Sequence, residues 1–351
     1  MENKNTITTA VLIFGALLFA IPFFVGAYDD HTTHPALTQE VVKFFNLKSQ
    51  DFQISGVDAE YMIKGSENED AFGRWMRHYY DPVHNRGLTY LGTQWQSAKE
   101  WAKDTLTQST YKIQDLPNRT LYGSLKDWFS GKTDFSWDRA IYEYAWGDKQ
   151  RGLNALGHIL HLIEDASVPD HTRNDPHPAF EKSVAGIAPS FFVAFLEHHD
   201  DFNASPYESF AVFNRKVVNI ADQIRNESPV ILSSLDEYFE RMAQYSNGNF
   251  FSEDTIFDNE YKNPVEQFTK VEEIKPGIFL KYGYNKERSR LVLYPPDFDW
   301  KNEGEDKRLT VDDTRILNDY WSLLSKQAVL HGAGVVKLFF DEVEREKNTR
   351  V

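Results

Sequence analysis

The stretch ALGHILHLIEDASVPDHTRNDPHPAFEKS, Ala155 to Ser183, carries four histidines and five acidic residues. Leu156, Ile159, Leu160, Leu162 and Ile163 make its first part apolar, which predicts a largely buried helix from Arg151 to Ala166, stopped by Pro169. Residues four apart share a helix face, so His161 and Asp165 can reach one metal ion, and His158 lies near the same face. Beyond Pro169 the chain turns, and His171 can point back towards the helix end. Pro178 suits the first turn of another helix running to about Glu197, and His177 and Glu181 are again four apart at its start. A buried carboxylate such as Asp165 needs a cation or strong donors beside it. A metal ion supplies the cation directly.

The bulk composition narrows the ways such a cluster can be used. The chain has 351 residues, 41% of them apolar and 15% aromatic, enough for a sizeable core. There is no cysteine, so disulfides and thiolate metal sites are excluded, and any transition-metal site must be built from His, Asp and Glu. The formal charge of −15 disfavours nucleic-acid phosphates unless a local cation overrides it. Residues 1–9 are mostly polar, and the apolar run AVLIFGALLFAIPFFVGA follows, ending at Ala27. Val25-Gly26-Ala27 has the small-residue pattern of a signal-peptidase site, with cleavage before Tyr28; an uncleaved N-terminal anchor is the other reading. Both readings place the remainder outside the cytoplasm, secreted or anchored at the membrane.

Elsewhere the apolar spacing predicts helices over 35–45, 95–105 and 137–145, two more within 206–247, and a long one from Thr310 to Glu344. The segment GSENEDAFGR, from Gly65 to Arg74, reads as a loop. The runs IFLKYGY and SRLVLYP, separated by NKER, read as a β-hairpin within 272–297. The expected fold class is therefore mostly α with a small β-hairpin insertion towards the C-terminus. The expected organisation is a signal or anchor segment at 1–27, a metal-binding core at 28–200, added helices and the hairpin at 201–305, and a C-terminal helix at 306–346 packing on the core.

Two further words carry metal-capable residues. HTTHPALT, His31 to Thr38, puts His34 just before a helix. GSENEDAFGRWMR leads into HYYDP at His78 to Pro82, offering Asp70 and His78. Taken with His161-x3-Asp165-x5-His171, these words and their order resemble the zinc-dependent phospholipase C family, to which the fungal single-strand-specific zinc nucleases are distantly related. HYYDP points to the phospholipase branch. The resemblance covers about residues 28–200 and implies an all-helical fold holding up to three Zn²⁺ ions. It implies one ion on Asp70, His78, His161 and Asp165, a second on His171, His177 and Glu181, and a third on His34, a bridging Asp165 and the amino group and carbonyl of Tyr28. Glu69, and more weakly Glu67, compete with Asp70. His158 reads as a core or supporting histidine, and His31, His84, His198, His199 and His331 as non-ligands. Glu164 and Asp170 could support histidine N–H groups or simply be surface charge.

Clustered zinc ions neutralise a phosphodiester and activate water for attack on phosphorus. The resemblance thus implies a secreted zinc-dependent phosphodiester hydrolase with Asp70 and Asp165 in catalytic roles. Its substrate would be phospholipid or another phosphodiester, met at a membrane surface, and no protein partner is predicted. The alternatives are a single-strand nuclease or nucleotidase with the same centre, and a non-catalytic extracytoplasmic zinc-binding protein.

Overall fold

The computed structural model describes residues 32–50, 52–70, 74–90, 92–110, 133–176, 205–214, 219–295 and 309–349. Tyr28, His177, Glu181, the segment before Tyr28 and the helix expected from Pro178 to Glu197 lie outside these residues.

Helix α6, Lys149–Asp165, is the axis of the molecule. Asp148 caps it by accepting from the amides of Gln150 and Arg151, and every residue from Ala155 to Asp165 is buried. Leu156, Leu160 and Ile163 are fully enclosed, each worth about 1.5–3 kcal/mol of burial. Around α6 pack α1, Thr33–Lys48, α2, Gly56–Asn68, and α5, Trp137–Trp146. Helix α2 is started by Ser55, whose side chain accepts from the Asp58 amide. It runs through Gly65-Ser66-Glu67-Asn68, so the expected loop begins only at Glu69. The physical reason is close packing: Gly65 of α2 and Gly157 of α6 lie against each other, and a methyl on either would meet the opposing backbone. That contact favours continued helix over the turn suggested by the local residues.

The C-terminal helix α11, Thr314–Thr349, joins two hydrophobic cores. Its Val329, Ala333, Val336 and Phe339 enter the core around α6, and its Ile316, Leu317, Tyr320 and Leu324 enter a second core. That second core is roofed by a small antiparallel sheet of three strands in sequence order: β3, Phe268–Lys275, β4, Ile278–Tyr284, and β5, Arg290–Tyr294. Strands β4 and β5 are the expected hairpin, paired Lys281 to Tyr294 and Gly283 to Val292. Strand β3 extends it, through a turn where Gly277 has φ +79°. Tyr320 fastens the sheet to α11 by donating to the Leu291 carbonyl at 2.7 Å and accepting from the Phe251 amide at 3.1 Å. The described residues are thus mostly α, with this small sheet towards the C-terminus and a two-stranded ribbon of β1, Thr89–Tyr90, and β2, Thr93–Gln94. Among the described residues no helix is long and apolar enough to cross a membrane.

Val168 belongs to the second core, so the short link between Asp165 and His171 is gripped from both sides. Where the chain turns beyond Asp165, Pro169 opens a further turn of helix, α7, Pro169–Thr172, because its fixed φ suits a first helical position.

Candidate metal centre

Six of the nine residues proposed from the sequence as metal ligands are described, and all six meet. His34, Asp70, His78, His161, Asp165 and His171 are buried, none more than 2% exposed. Asp165 is the hub. Its Oδ2 lies 3.0 Å from His78 Nδ1 and 3.2 Å from His161 Nε2. Its Oδ1 lies 3.4 Å from His34 Nε2 and 3.3 Å from His171 Nδ1. Asp70 Oδ1 stands 3.3 Å from His78 Nδ1 and 3.5 Å from His161 Nε2. Two overlapping triads result, His34–His161–Asp165 and Asp70–His78–His161.

The elements explain the meeting. Helix α6 projects His161 and Asp165 from one face, α1 brings His34, and the end of α2 delivers Asp70. A backbone hydrogen bond from the Tyr80 amide to the His171 carbonyl, 3.1 Å, clamps the HYYDP word against α7. Asp81 of that word stays out of the cluster. It accepts from the Val83 amide at 2.8 Å, and pairs with His84 and with Arg86 at 3.1 Å, building the turn.

Supporting groups fix the imidazoles. His161 Nδ1 lies 2.7 Å from the Ser66 carbonyl and donates to it, so Nε2 is the nitrogen turned to the aspartates. His34 Nδ1 pairs at 2.8 Å with Glu164 Oε2, and Thr38 donates to Glu164 Oε1 at 2.8 Å. Glu164 is fully buried, which decides between support and surface charge.

The rivals of Asp70 have further partners. Glu69 accepts from Arg74 Nε and Nη2 at 2.9 and 2.7 Å and from Trp101 Nε1 at 2.8 Å, pairs with His158, and has its Oε1 3.8 Å from His78 Nε2. His158 is therefore a partner of Glu69. Glu67 pairs at 2.9 Å with Lys64. His84 and His331 lie outside the cluster, while His31, His198 and His199 are outside the described residues.

Taken by themselves the side chains form a charged network. Burial would raise the Asp165 carboxyl, but His161, His171, His78 and His34 hold it well below the usual carboxylate range. Burial would depress His161, but Asp70 and Asp165 lift it well above the ordinary histidine value. His171 is likewise pushed up to about 10, with Asp165 overriding burial.

The donor geometry fits a zinc ion. Two ligands each about 2.0–2.2 Å from one Zn²⁺ at a tetrahedral angle stand about 3.4 Å apart. The donor pairs above span 3.0–3.5 Å. Both oxygens of Asp70 and of Asp165, both nitrogens of His78, Nε2 of His161 and Nδ1 of His171 are buried without a hydrogen-bond partner in the structure. Such a concentration is costly unless something satisfies it.

Sequence pattern missed two groups. Arg74 is fully buried, its guanidinium 4.8 Å from the Trp101 ring centre, and it donates twice to Glu69. Glu208 also reaches the cluster, its Oε1 3.1 Å from His171 Nε2. No histidine lies three or four residues from it in sequence, so helical spacing gave no signal.

No protein-family model matches the chain, and no curated protein matches it. Among solved structures it is similar to the alpha toxin from Clostridium absonum, at 12% identity and a TM-score of 0.43, covering 91% of this chain and 67% of that one. It is also similar to the Clostridium perfringens alpha-toxin isolated from avian strain SWCP, at 12% identity and a TM-score of 0.37, covering 92% of this chain and 66% of that one. The chain thus spans about two thirds of the length of these toxins.

Proposed function

We propose that the protein is a zinc-dependent phosphodiester hydrolase of the phospholipase C kind, acting outside the cytoplasm on phospholipid at a membrane surface. One observation carries the reading: the buried Asp165 carboxylate, with one oxygen facing His78 and His161 and the other facing His34 and His171. A carboxylate so placed suits bridging two cations. Asp70, His78, His161 and Asp165 would hold one ion, His34 and Asp165 another, and His171 stands ready beside Asp165 for a third. When bound, Zn²⁺ supplies Lewis acidity towards phosphoryl oxygens and brings the pKa of water towards neutrality.

The chain's own residues orient and exclude. Ser66 and Glu164 fix the imidazole tautomers, and Asp70 presents carboxylate oxygens suited to accept a proton. The Tyr79 ring packs 4.5 Å from the His171 ring. The lipid reading over the nuclease reading rests on HYYDP and on the net charge of −15. The site outside the cytoplasm rests on the sequence of residues 1–27.

The deciding experiment is metal analysis of the purified mature protein, with choline phospholipid, an aryl phosphodiester and single-stranded DNA as substrates, run on wild type and Asp165→Asn. Bound zinc, lipid cleavage and loss of both in the variant support the reading. A protein that binds no zinc, or that cleaves only DNA, overturns it.

A further inference from the structure

We propose that the end of the β3–β4 hairpin is a docking tip that seats Ile278 and Phe279 in the surface of an anionic lipid bilayer, with Lys270, Lys275 and Lys281 at the level of the lipid phosphates. This rests on the lipid reading above for its setting and adds the surface by which the protein meets the bilayer. No residue of the metal cluster enters it.

Successive residues of a strand face opposite sides of the sheet. Towards the base of β4, Tyr282 and Tyr284 are 0% and 4% exposed and belong to the second core. At its other end Ile278 and Phe279 are adjacent, so they face opposite sides, and they are 48% and 54% exposed. Neither side of the hairpin is covered there, and its end therefore projects from the body of the protein. Val271 of β3 is 57% exposed beside it. A grooved protein partner covers one face of a strand, whereas a fluid bilayer closes around a projecting end from every side. The projecting end is also fixed in shape. Gly277 makes the turn with φ +79°, and its amide donates to Glu273 Oε1 at 2.9 Å. Tyr320 holds the neighbouring strand through the Leu291 carbonyl at 2.7 Å. The apolar pair is thus presented with little left to order on binding.

Charge names the kind of bilayer. The whole chain carries −15, yet residues 262–290 hold seven Lys or Arg against four Glu and no Asp. Lys270, Lys275 and Lys281 are exposed. The strand register sets Lys275 opposite Ile278 and Lys281 opposite Val271. Of the glutamates near them, Glu272 is turned to Arg290 at 2.8 Å and Glu273 to the Gly277 amide. Apolar side chains flanked by lysines suit the interface of an anionic leaflet, where apolar burial and attraction to lipid phosphate act together.

Cosedimentation of the full protein with vesicles of phosphatidylcholine and phosphatidylglycerol measures the docking. Wild type is expected to bind, and to bind less as phosphatidylglycerol is withdrawn or salt is raised. The double variant Ile278→Asp, Phe279→Asp is expected to lower the partition coefficient at least about tenfold. Both side chains are exposed, so its melting temperature and its cleavage of a soluble aryl phosphodiester are expected to match wild type. Insertion is read separately. Phe279→Cys gives the chain its only cysteine. An environment-sensitive fluorophore on it is expected to shift to the blue on vesicles and to be quenched by spin-labelled lipid, while the same label on Val57→Cys, at an exposed position of α2, stays aqueous. A label at 279 that stays aqueous on bound protein overturns the proposal. So does a double variant that binds like wild type, binding indifferent to both phosphatidylglycerol and salt, or a wild type that ignores vesicles. Should the double variant fail to fold, the label decides. A wild type that is dimeric without lipid, and monomeric as the double variant, gives the tip to a second copy of the chain and also overturns it. Docking as described without phospholipid cleavage keeps the tip and removes the hydrolase. Cleavage of detergent-dispersed phospholipid by a protein whose vesicle binding ignores the tip does the reverse.

Discussion

His34 and Glu164, 130 residues apart in the chain, meet at 2.8 Å in the interior, with Nδ1 of the imidazole against Oε2 of the carboxylate. The pair turns His34 Nε2 towards Asp165, 3.4 Å away. Glu164→Gln keeps the shape and removes the charge. Zinc affinity, measured by competition with a chelator, is expected to fall about 10–100-fold while the far-ultraviolet circular dichroism stays unchanged. Wild-type affinity would show that His34 needs no such partner.

The approach of Gly65 to Gly157 sets the distance between the helix carrying Ser66 and the helix carrying His161 and Asp165. Gly157→Ala forces those backbones apart. Urea unfolding is expected to show a loss of about 1–3 kcal/mol, the usual cost of overpacking, together with weaker zinc binding. Stability lost without any change in zinc affinity would mean that the helix spacing does not tune the centre.

Metal loading has a pH dependence with a definite sign. Asp165 overrides burial and holds His171 up at about 10, so the metal-free chain keeps this proton at neutral pH and zinc must displace it. The same raised value means the protonated pair stabilises the metal-free fold fully below the ordinary histidine value near 6.5. That contribution is lost as pH rises towards 10. Zinc affinity, and the rise in melting temperature that zinc produces, are therefore expected to grow between pH 6.5 and 10. Calorimetry in two buffers of different ionisation enthalpy should register proton release on loading. Loading without proton release contradicts this.

A second pH effect lies outside the cluster. His331 on α11 is 2% exposed, donates from Nδ1 to the Gln327 carbonyl at 2.8 Å, and is depressed to about 4, chiefly by burial. Its folded value is below the unfolded one, so its contribution is present above pH 6.5 and is lost as pH falls towards 4. The gap is worth about 3 kcal/mol. His331→Gln is expected to flatten the acid limb of the stability profile, measured by denaturant titration from pH 7 to 4. An unchanged limb would place the acid sensitivity elsewhere.

Helices α1, α5, α6 and α11 were readable from spacing, because each carries apolar residues at helical intervals. Helix α2 was not, and its Gly65–Asn68 turn reads as loop. Gly, Ser and Asn locally favour a loop, and only contact with Gly157, distant in sequence, makes helix the better state there. Strand β3 was missed for a related reason. Four of its eight residues are charged, and Phe268, Val271 and Ile274 show no alternation that would mark a buried face. In the site, the i,i+4 pair His161–Asp165 was legible because a helix converts spacing into proximity. Glu69 against Asp70 was not, since adjacent carboxylates in a loop are sorted only by where Arg74, Trp101 and His158 fall. Glu208 was invisible because tertiary packing alone brings it to His171.

The two-sided placement of Asp165 has a consequence for how the centre fills. A carboxylate shared by opposite halves of a cluster has its orientation fixed by whichever half is occupied first. The second cation then meets a donor that no longer has to be ordered or stripped of a neighbouring imidazolium. Titration with zinc should accordingly be sigmoidal, with partly filled molecules scarce, and the protein would pass between an inactive and a complete form over a narrow range of free metal.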